Sequence, residues 1–136
     1  MKELFYNNGF ISGKIRSFTC GEVLNLCKAG VVLVDIREDY MNTHKAFDLP
    51  NVVSLPKSKI EQAIIPLDKK GYYILADASG LHTAPILNIL SQMGYENIGG
   101  LSGGLVEWER EQMPVIVNPK EKLSGSCMCQ IKYRDA

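Results

Sequence analysis

The chain of 136 residues and 15.1 kDa has the length of one domain with a buried core. Its 15 basic and 15 acidic side chains give a net charge of zero, which excludes the strong basic field that nucleic-acid binding requires. No apolar run reaches the length of a membrane span, and the first ten residues lack the pattern of a signal peptide. We therefore expect a cytoplasmic protein that binds neither nucleic acid nor a membrane.

Helices and strands are predicted to alternate along most of the chain. Thr19 and Glu22 have the spacing of a capping box, which predicts a first helix that ends near Gly30. Continuous β-branched runs predict buried strands, and apolar residues three and four apart predict helices. Strands are predicted at 31–35, 51–55, 72–76 and 97–101. Three more helices are predicted at 57–65, at 86–93 and around 105–108.

This alternation predicts an α/β fold with a parallel central sheet of about five strands and helices on both faces. The first fifteen or so residues are polar and contain Gly, and they give no clear assignment. The composition changes after Pro114, and from about Pro119 the chain is rich in Lys, Glu, Ser and Gly. We expect one domain over residues 1–118 and a C-terminal tail over 119–136 with little regular structure.

The segment between the strand at 72–76 and the helix at 86–93 is the candidate site, because sites in open parallel sheets form beyond the carboxyl ends of strands. A tight loop before a helix directs several backbone N–H groups inward and adds the positive end of the helix dipole. Together these form an anion cradle. The residues of this candidate ligand-binding loop are Asp77, Ala78, Ser79, Gly80, Leu81, His82 and Thr83.

Four segments of the chain resemble sequence motifs of the rhodanese-like domain family. Residues 34–38 (VDIRE) resemble the family's VDVRE, and residues 49–56 (LPNVVSLP) resemble its IPGAINIP. Residues 77–83 (DASGLHT) are similar to the active-site loop CRSGxRS, and residues 94–108 resemble GFxNVxxLxGGxxxW. The segments occur in the family's order and spacing, so the resemblance implies the rhodanese-like fold from about residue 19 to 115.

The resemblance also implies an altered active site. In the family, the loop cysteine takes sulfur from thiosulfate or another persulfide donor, and loop amides with an arginine stabilise the charged intermediate. Asp77 falls on that cysteine and Ala78 on the first arginine, whereas residues 79–80 match the family's loop. His82 falls on the second basic residue and Thr83 on the closing serine. Both positions that make the chemistry work are therefore changed.

These changes favour binding over the family's ordinary chemistry, because a carboxylate oxygen cannot carry a transferable sulfane sulfur. We expect the Asp77 carboxylate to accept loop amides between Ser79 and Thr83 as a built-in anion. The alternative is that it only caps the following helix. The first interpretation is a binding or regulatory module in sulfur or redox metabolism, without classical sulfurtransferase activity. Its partner would be an unknown protein or a small anionic or sulfur-containing ligand.

The tail provides the rival interpretation. Cys127 and Cys129 form a Cys-x-Cys pair that could hold a persulfide, a strained disulfide or two of the four ligands of a shared metal. The chain would then be a sulfurtransferase or persulfide carrier that uses these thiols in place of the loop. Two thiolates alone do not make a zinc site, and the chain has only two histidines, so we expect no metal and no cofactor.

Several other side chains are expected to be structural. Asp35, Arg37 and Glu38 are expected chiefly to fix a strand end rather than line the mouth of the site, and Trp108 is expected in the core next to the Gly103–Gly104 pair.

The remaining histidine and cysteine positions have simple expectations. His44 lies in a polar segment and is expected to be solvated. Cys27 lies on the apolar side of the first helix and is expected to be buried as a small hydrophobic residue. Cys20 lies in the first turn of that helix, where the helix dipole would lower the pKa of its thiol.

Overall fold

A computed structural model describes residues 1–12, 14–38 and 45–117. Its main sheet has six strands, which are β1 (Phe10–Ser12), β2 (Ile15–Phe18), β3 (Val32–Asp35), β5 (Val52–Ser54), β6 (Tyr73–Ala76) and β7 (Ile98–Leu101). They lie in the order β1-β2-β7-β6-β3-β5, and every neighbouring pair is parallel except β1 and β2. Two short strands, β4 (Lys45–Phe47) and β8 (Val115–Val117), form a separate antiparallel pair.

Helices cover both faces of this sheet, so the predicted α/β fold is confirmed. The helices are α1 (Lys2–Tyr6), α2 (Cys20–Lys28), α3 (Lys57–Glu61), α4 (Thr83–Gln92) and α5 (Gly104–Arg110). Leu33 and Ile74 point into a core with α1, α2 and α5, whereas their neighbours Val34 and Leu75 point into a second core with α3 and α4. This alternation explains why β3 and β6 read as continuous apolar runs, because both sides of each strand are buried.

Helix α2 begins with the predicted capping box. The Thr19 hydroxyl accepts the Glu22 amide at 3.3 Å, and Glu22 Oε1 accepts the Thr19 amide at 2.9 Å. Glu22 Oε2 also accepts the amide of Gly9 at 2.9 Å, which ties the preceding hairpin to the helix. Gly30 has φ +116°, a left-handed conformation that suits glycine just after a helix.

One helix boundary differs from the predicted one for a local reason. Helix α3 ends at Glu61 rather than near 65, because Ala63 has φ +62° and cannot continue the helix. Helix α4 begins at Thr83, ahead of the apolar run at 86–93, and Pro85 lies in its first turn, where its missing N–H breaks no helical hydrogen bond. Within the described residues, no helix is both long enough and apolar enough to cross a membrane.

The first eighteen residues form more structure than the sequence predicts. Phe5 in α1 is fully buried, and its ring lies 5.1 Å from that of Phe18 and 5.3 Å from that of Tyr72. Strands β1 and β2 form a hairpin, and β2 pairs with β7. The sequence could not show this, because strands of three and four residues carry too little periodicity to be distinguished from loops.

Candidate functional site

The side chain of Asp77 turns back into the loop that follows β6. It is only 2% exposed. Its Oδ1 accepts the Gly80 amide at 2.5 Å, and its Oδ2 accepts the His82 amide at 2.7 Å. The predicted hydrogen bonds from loop amides are therefore present. His82 is the N-cap residue of α4, so the same carboxylate that accepts a loop amide also holds the residue just before the helix.

The start of α5 holds the same loop from the other side. The amides of Leu105 and Val106 donate to the carbonyls of Asp77 and Ala78, both at 2.9 Å. Gly104 has φ +61°, and a Cβ at this position would lie 2.6 Å from the Asp77 carbonyl oxygen. A side chain there would push the loop off the helix, so the glycine permits the close approach.

The core position predicted for Trp108 is confirmed. Its side chain is fully buried, and its indole Nε1 donates to the Pro114 carbonyl at 2.7 Å. Its ring packs edge-on against Phe47 with centroids 5.5 Å apart. Trp108 thus anchors α5, and with it the two amides that support the loop.

At the end of β3, next to β6 in the sheet, Asp35 and Arg37 form a buried ion pair. Arg37 Nη2 donates to Asp35 Oδ2 at 2.8 Å, Arg37 Nε donates to Oδ1 at 3.0 Å, and the Arg37 amide also reaches Oδ1 at 3.2 Å. Arg37 Nη2 further donates to the carbonyl of Lys45 at 2.9 Å, which connects β3 to β4. The predicted role of these two residues in fixing the strand end is confirmed.

A cleft of about 610 Å³ opens between the Asp77 loop and the residues that follow β3 and β5. Glu38 lines it while accepting both the amide and the hydroxyl of Ser58, at 3.1 and 3.0 Å. Arg37 and Glu38 therefore have both of the predicted roles, because they line the cleft and also fix the structure at the end of β3. The lining residues are Ile36, Arg37, Glu38, Lys57, Ser58, Asp77, Ala78, Ser79 and His82.

The predicted loop residues divide into two groups around this cleft. Asp77, Ala78, Ser79 and His82 line it, whereas the others belong to the loop but do not. In that second group, Gly80 has φ +90°, Leu81 is 76% exposed, and the buried Thr83 hydroxyl donates to the Gly80 carbonyl at 3.4 Å.

Lys57, Ser58 and Ile36 are lining residues that the sequence analysis missed. A signal was available, because β5 lies beside β3 and residues that follow parallel strands meet at one edge of the sheet. The carboxylates of the lining, Glu38 and Asp77, accept protein N–H groups, and Arg37 is paired with Asp35. Lys57 has no carboxylate partner among the described residues, so its charge remains for a ligand.

The described cysteines are buried and poorly suited to chemistry. Cys27 is fully buried, as predicted, and burial raises the pKa of its thiol to about 12. The prediction of a lowered pKa at Cys20 is wrong, because burial, followed by the charges of Glu107 and Glu111, raises it. His44 and the Cys127–Cys129 pair lie outside the described residues.

In residues 1–12, 14–38 and 45–117, no group of three or more His, Cys, Asp or Glu side chains is placed to hold a metal. The polar groups that line the cleft are the Ser58 and Ser79 hydroxyls, the His82 imidazole, the Lys57 amine, the Arg37 guanidinium and the carboxylates of Glu38 and Asp77.

The fold and the site together define the class of protein. The family model described as "Rhodanese-like domain" matches residues 19–111, and the chain belongs to this family. The putative sulfurtransferase YtwF of Bacillus subtilis is 27% identical over 82 residues, which cover 60% of this chain and 77% of that protein. The thiosulfate sulfurtransferase GlpE of Haemophilus influenzae is 25% identical over 104 residues, which cover 74% of this chain and 93% of that protein.

Solved structures give the same result. A rhodanese-related protein from Thermoplasma volcanium has a TM-score of 0.65 at 26% identity, and the match covers 74% of this chain and 97% of that one. A rhodanese-like domain protein from Staphylococcus aureus has a TM-score of 0.61 at 24% identity, with coverage of 69% and 91%. The second similarity supports the fold alone.

Proposed function

We propose that this rhodanese-like domain is a cytoplasmic binding or regulatory module in sulfur or redox metabolism, and that its loop carries out no thiosulfate sulfurtransfer. The observation that carries the proposal is the buried Asp77 carboxylate, which accepts hydrogen bonds from the amides of Gly80 and His82. These two amides are therefore not available to a bound anion. The sulfurtransferase names of the relatives agree with a sulfur-related ligand, and the cleft beside Asp77 is where that ligand would bind.

The chemistry of a carboxylate argues against sulfur transfer at this loop. The resemblance to the family places Asp77 at the position of the cysteine that would carry the sulfur, and an oxygen nucleophile forms no persulfide. A buried carboxylate also repels an incoming anion, by on the order of 4 kcal/mol for unit charges ~4 Å apart at an effective dielectric constant of ~20. Thiosulfate would meet a loop in which the amides of Gly80 and His82 already have an acceptor.

The polar side chains that line the cleft favour a ligand at its rim rather than inside the Asp77 loop. The Lys57 amine has no described carboxylate partner, and the exposed Ser79 and His82 line the same cleft. A small anionic or sulfur-containing molecule would find a cation and hydrogen-bonding groups here, without entering the filled loop.

Sulfurtransfer from thiosulfate to cyanide, measured on the intact chain, tests the catalytic half of the proposal. A second protein carries Cys127→Ser and Cys129→Ser. We expect no thiocyanate above the uncatalysed rate from either. Turnover by the intact chain that disappears in the double variant would assign the sulfur chemistry to the tail and overturn the proposal. Turnover that both proteins retain would overturn it as well, by showing that the domain transfers sulfur without the tail thiols.

Titration of ¹⁵N-labelled protein with glutathione persulfide, an anionic sulfur-containing probe, tests the binding half. We expect amide shifts concentrated at residues 57–58 and 77–82, and weaker binding after Lys57→Gln. The exposed Lys59, two residues further along α3, provides the matched control, because Lys59→Gln removes the same charge outside the cleft lining. An absence of shifts, or equal losses in the two variants, would contradict binding at this cleft.

A further inference from the structure

The last described strand, β8, ends close to the cleft beside Asp77. Its final residue, Val117, lies opposite Lys45 in the antiparallel pair, so β8 runs from Phe47 toward the start of β4. The carbonyl of Lys45 accepts Arg37 Nη2 at 2.9 Å, and Arg37 lines the cleft. Because paired Cα atoms lie roughly 5 Å apart, Val117 is within about 10 Å of the Arg37 guanidinium.

The tail that follows Val117 carries the two thiols of this chain that can reach the cleft. The chain has four cysteines, and two of them, Cys20 and Cys27, are buried in α2. The other two, Cys127 and Cys129, lie ten and twelve residues beyond Val117. Ten residues span at most ~35 Å when fully extended. An unstructured chain of that length spans about 17 Å on average.

This length matches the distance that the tail has to cover. It exceeds the separation between Val117 and the wall of the cleft, yet it is short enough to hold the thiols nearby. A tether of this kind presents its end group at an effective concentration on the order of millimolar. A thiol on a separate molecule would need a similar concentration in solution to compete, so proximity favours the chain's own tail as the occupant.

The composition of the tail around the two thiols suits the lining of the cleft. Residues 123–131 contain no charged side chain, so they can enter without burying an unpaired charge. The volume of about 610 Å³ is in the range that holds a small ligand. Lys57 has no carboxylate partner among the described residues, and a neighbouring amine of this kind favours the thiolate form of a cysteine.

We propose that residues 127–129 bind in the cleft of their own chain, with a cysteine sulfur at the Lys57 amine. This inference rests on the proposed function, because it assigns a sulfur-containing ligand to the same cleft. The tail then regulates the cleft as a built-in competitor. A free ligand has to displace it, and the apparent affinity for that ligand is reduced by the fraction of molecules in which the cleft is open.

Amide chemical shifts of the ¹⁵N-labelled intact chain, compared with those of the protein carrying both Cys127→Ser and Cys129→Ser, test this proposal. A phosphine reductant keeps the thiols free. We expect the two substitutions to move the amides of residues 57–58 and 77–82, because the tail contacts them. Changes confined to the tail and to residues 115–117 would overturn the proposal.

The concentration dependence of these shifts distinguishes binding within one chain from binding between chains. The differences at residues 57–58 and 77–82 should be constant over a roughly tenfold range of protein concentration, because tail and cleft belong to the same molecule. Differences that vanish on dilution would show that the tail binds a second copy, and would overturn the proposal as well.

Lys57→Gln and Lys59→Gln form a matched pair of charge changes for the same experiment. In the Lys57→Gln background the effect of the cysteine substitutions on residues 77–82 should fall about twofold or more. Lys59→Gln should leave that effect unchanged, because the exposed Lys59 lies outside the cleft lining. Equal effects in the two backgrounds would show that the tail is not bound at the Lys57 amine.

Titration of the double-serine protein with glutathione persulfide separates a failure of this proposal from a failure of the proposed function. Binding of the persulfide at residues 57–58 and 77–82, without any effect of the cysteine substitutions on these amides, would overturn the tail as occupant and leave the proposed function standing. Effects of the cysteine substitutions without persulfide binding would support the tail as occupant and contradict the binding of a free sulfur-containing ligand.

Discussion

Two buried aspartates lie at the carboxyl ends of neighbouring parallel strands, and different groups stabilise their carboxylates. Asp35 closes β3 and faces the guanidinium of Arg37 at 2.8 Å. Asp77 follows β6 and is held by two backbone amides, from Gly80 and His82, with no basic side chain within ion-pair distance among the described residues. They are 4% and 2% exposed, so neither relies on water.

The difference shows what each position can do. An ion pair between two side chains fixes the strand end and leaves no group for a ligand, so Asp35 is structural. The Asp77 carboxylate instead accepts two N–H groups of its own loop, which would otherwise be available to a bound anion. We therefore expect Asp77, and not Asp35, to affect anion binding by the loop.

Removal of the Arg37 charge should have the greatest cost. Arg37→Met keeps an apolar stem beside Phe47 but leaves the Asp35 carboxylate buried without its cation. We expect the free energy of unfolding to fall by roughly 3–5 kcal/mol, as is found when one member of a buried ion pair is removed. Urea denaturation at neutral pH measures this loss.

The exposed ion pair between Lys45 and Glu109 provides the control for that experiment. Its atoms lie 2.6 Å apart, yet the side chains are 45% and 35% exposed. Because solvent screens such a pair, Glu109→Gln should cost less than about 1 kcal/mol. Equal losses in the two variants would show that burial does not distinguish the pairs.

The sequence predicts the buried centre of this fold better than its edges. Strands β3 and β6 stand out because both faces are buried and their residues are continuously apolar. Helix α1 and strands β1, β4 and β8 have three to five residues each, and distant partners stabilise them. No local pattern reports those partners, because pairing between remote segments is set by tertiary contacts rather than by propensity.

The candidate site shows the same limit. The Asp77 loop was predictable, since it lies between the clearest strand and the clearest helix. The contribution of α5 was not, because the sequence shows the Gly103–Gly104 pair but not that Leu105 and Val106 donate to the loop carbonyls. Lys57 was missed because its position in the cleft depends on the order of strands, with β5 beside β3.

The contact between α5 and the Asp77 loop can be broken at Gly104. Gly104→Ala forces a left-handed conformation on alanine and places its Cβ against the Asp77 carbonyl oxygen. We expect a loss of roughly 2–4 kcal/mol of unfolding free energy from strain and overlap. In ¹⁵N spectra the amide shifts should change most at residues 77–82.

Gly21→Ala is the matched control for the glycine experiment. Gly21 lies in the first turn of α2, and a Cβ there meets nothing within 4 Å. This change should stabilise the protein slightly, by up to about 1 kcal/mol. If Gly104→Ala is as stable as the unmodified chain and its amide chemical shifts at residues 77–82 are unchanged, the backbone at Gly104 does not lie as close to the Asp77 carbonyl as the structure has it.

Asp77→Ala opens the loop and changes both stability and anion binding. Two N–H groups lose their acceptor, which should cost roughly 1–3 kcal/mol of unfolding free energy in water without added anions. Sulfate or thiosulfate should then raise the melting temperature of the variant while leaving the unmodified chain almost unchanged. Asp77→Asn should respond less, because its amide still fills the space. If anions stabilise all three proteins equally, Asp77 does not occupy the anion position.

The smallest effect concerns Glu22, another carboxylate that accepts backbone amides but is only half-buried. Burial would raise the pKa of Glu22, but the hydrogen bonds from Gly9 and Thr19 outweigh it and lower the pKa below its usual value. Glu22 therefore contributes stability above the unfolded pKa, and this contribution is lost as the pH falls through the folded pKa. Glu22→Gln should cost roughly 0.3–1 kcal/mol at pH 7.

Glutamine can still accept a hydrogen bond from an amide, so Glu22→Gln removes the charge and keeps the shape of the side chain. The pH dependence of the unfolding free energy therefore separates these two contributions. The difference in unfolding free energy between the intact chain and Glu22→Gln should shrink as the pH falls from 7 through the folded pKa of Glu22. Denaturation at a series of pH values measures it, with Glu61→Gln, an exposed change at the end of α3, as the control. A difference that stays constant over this range would mean that the amides recognise the shape of the side chain and not its charge. In that case the negative charge of Glu22 would contribute nothing to its hydrogen bonds with the amides, and Glu22 would give no support to a role for the charge of Asp77.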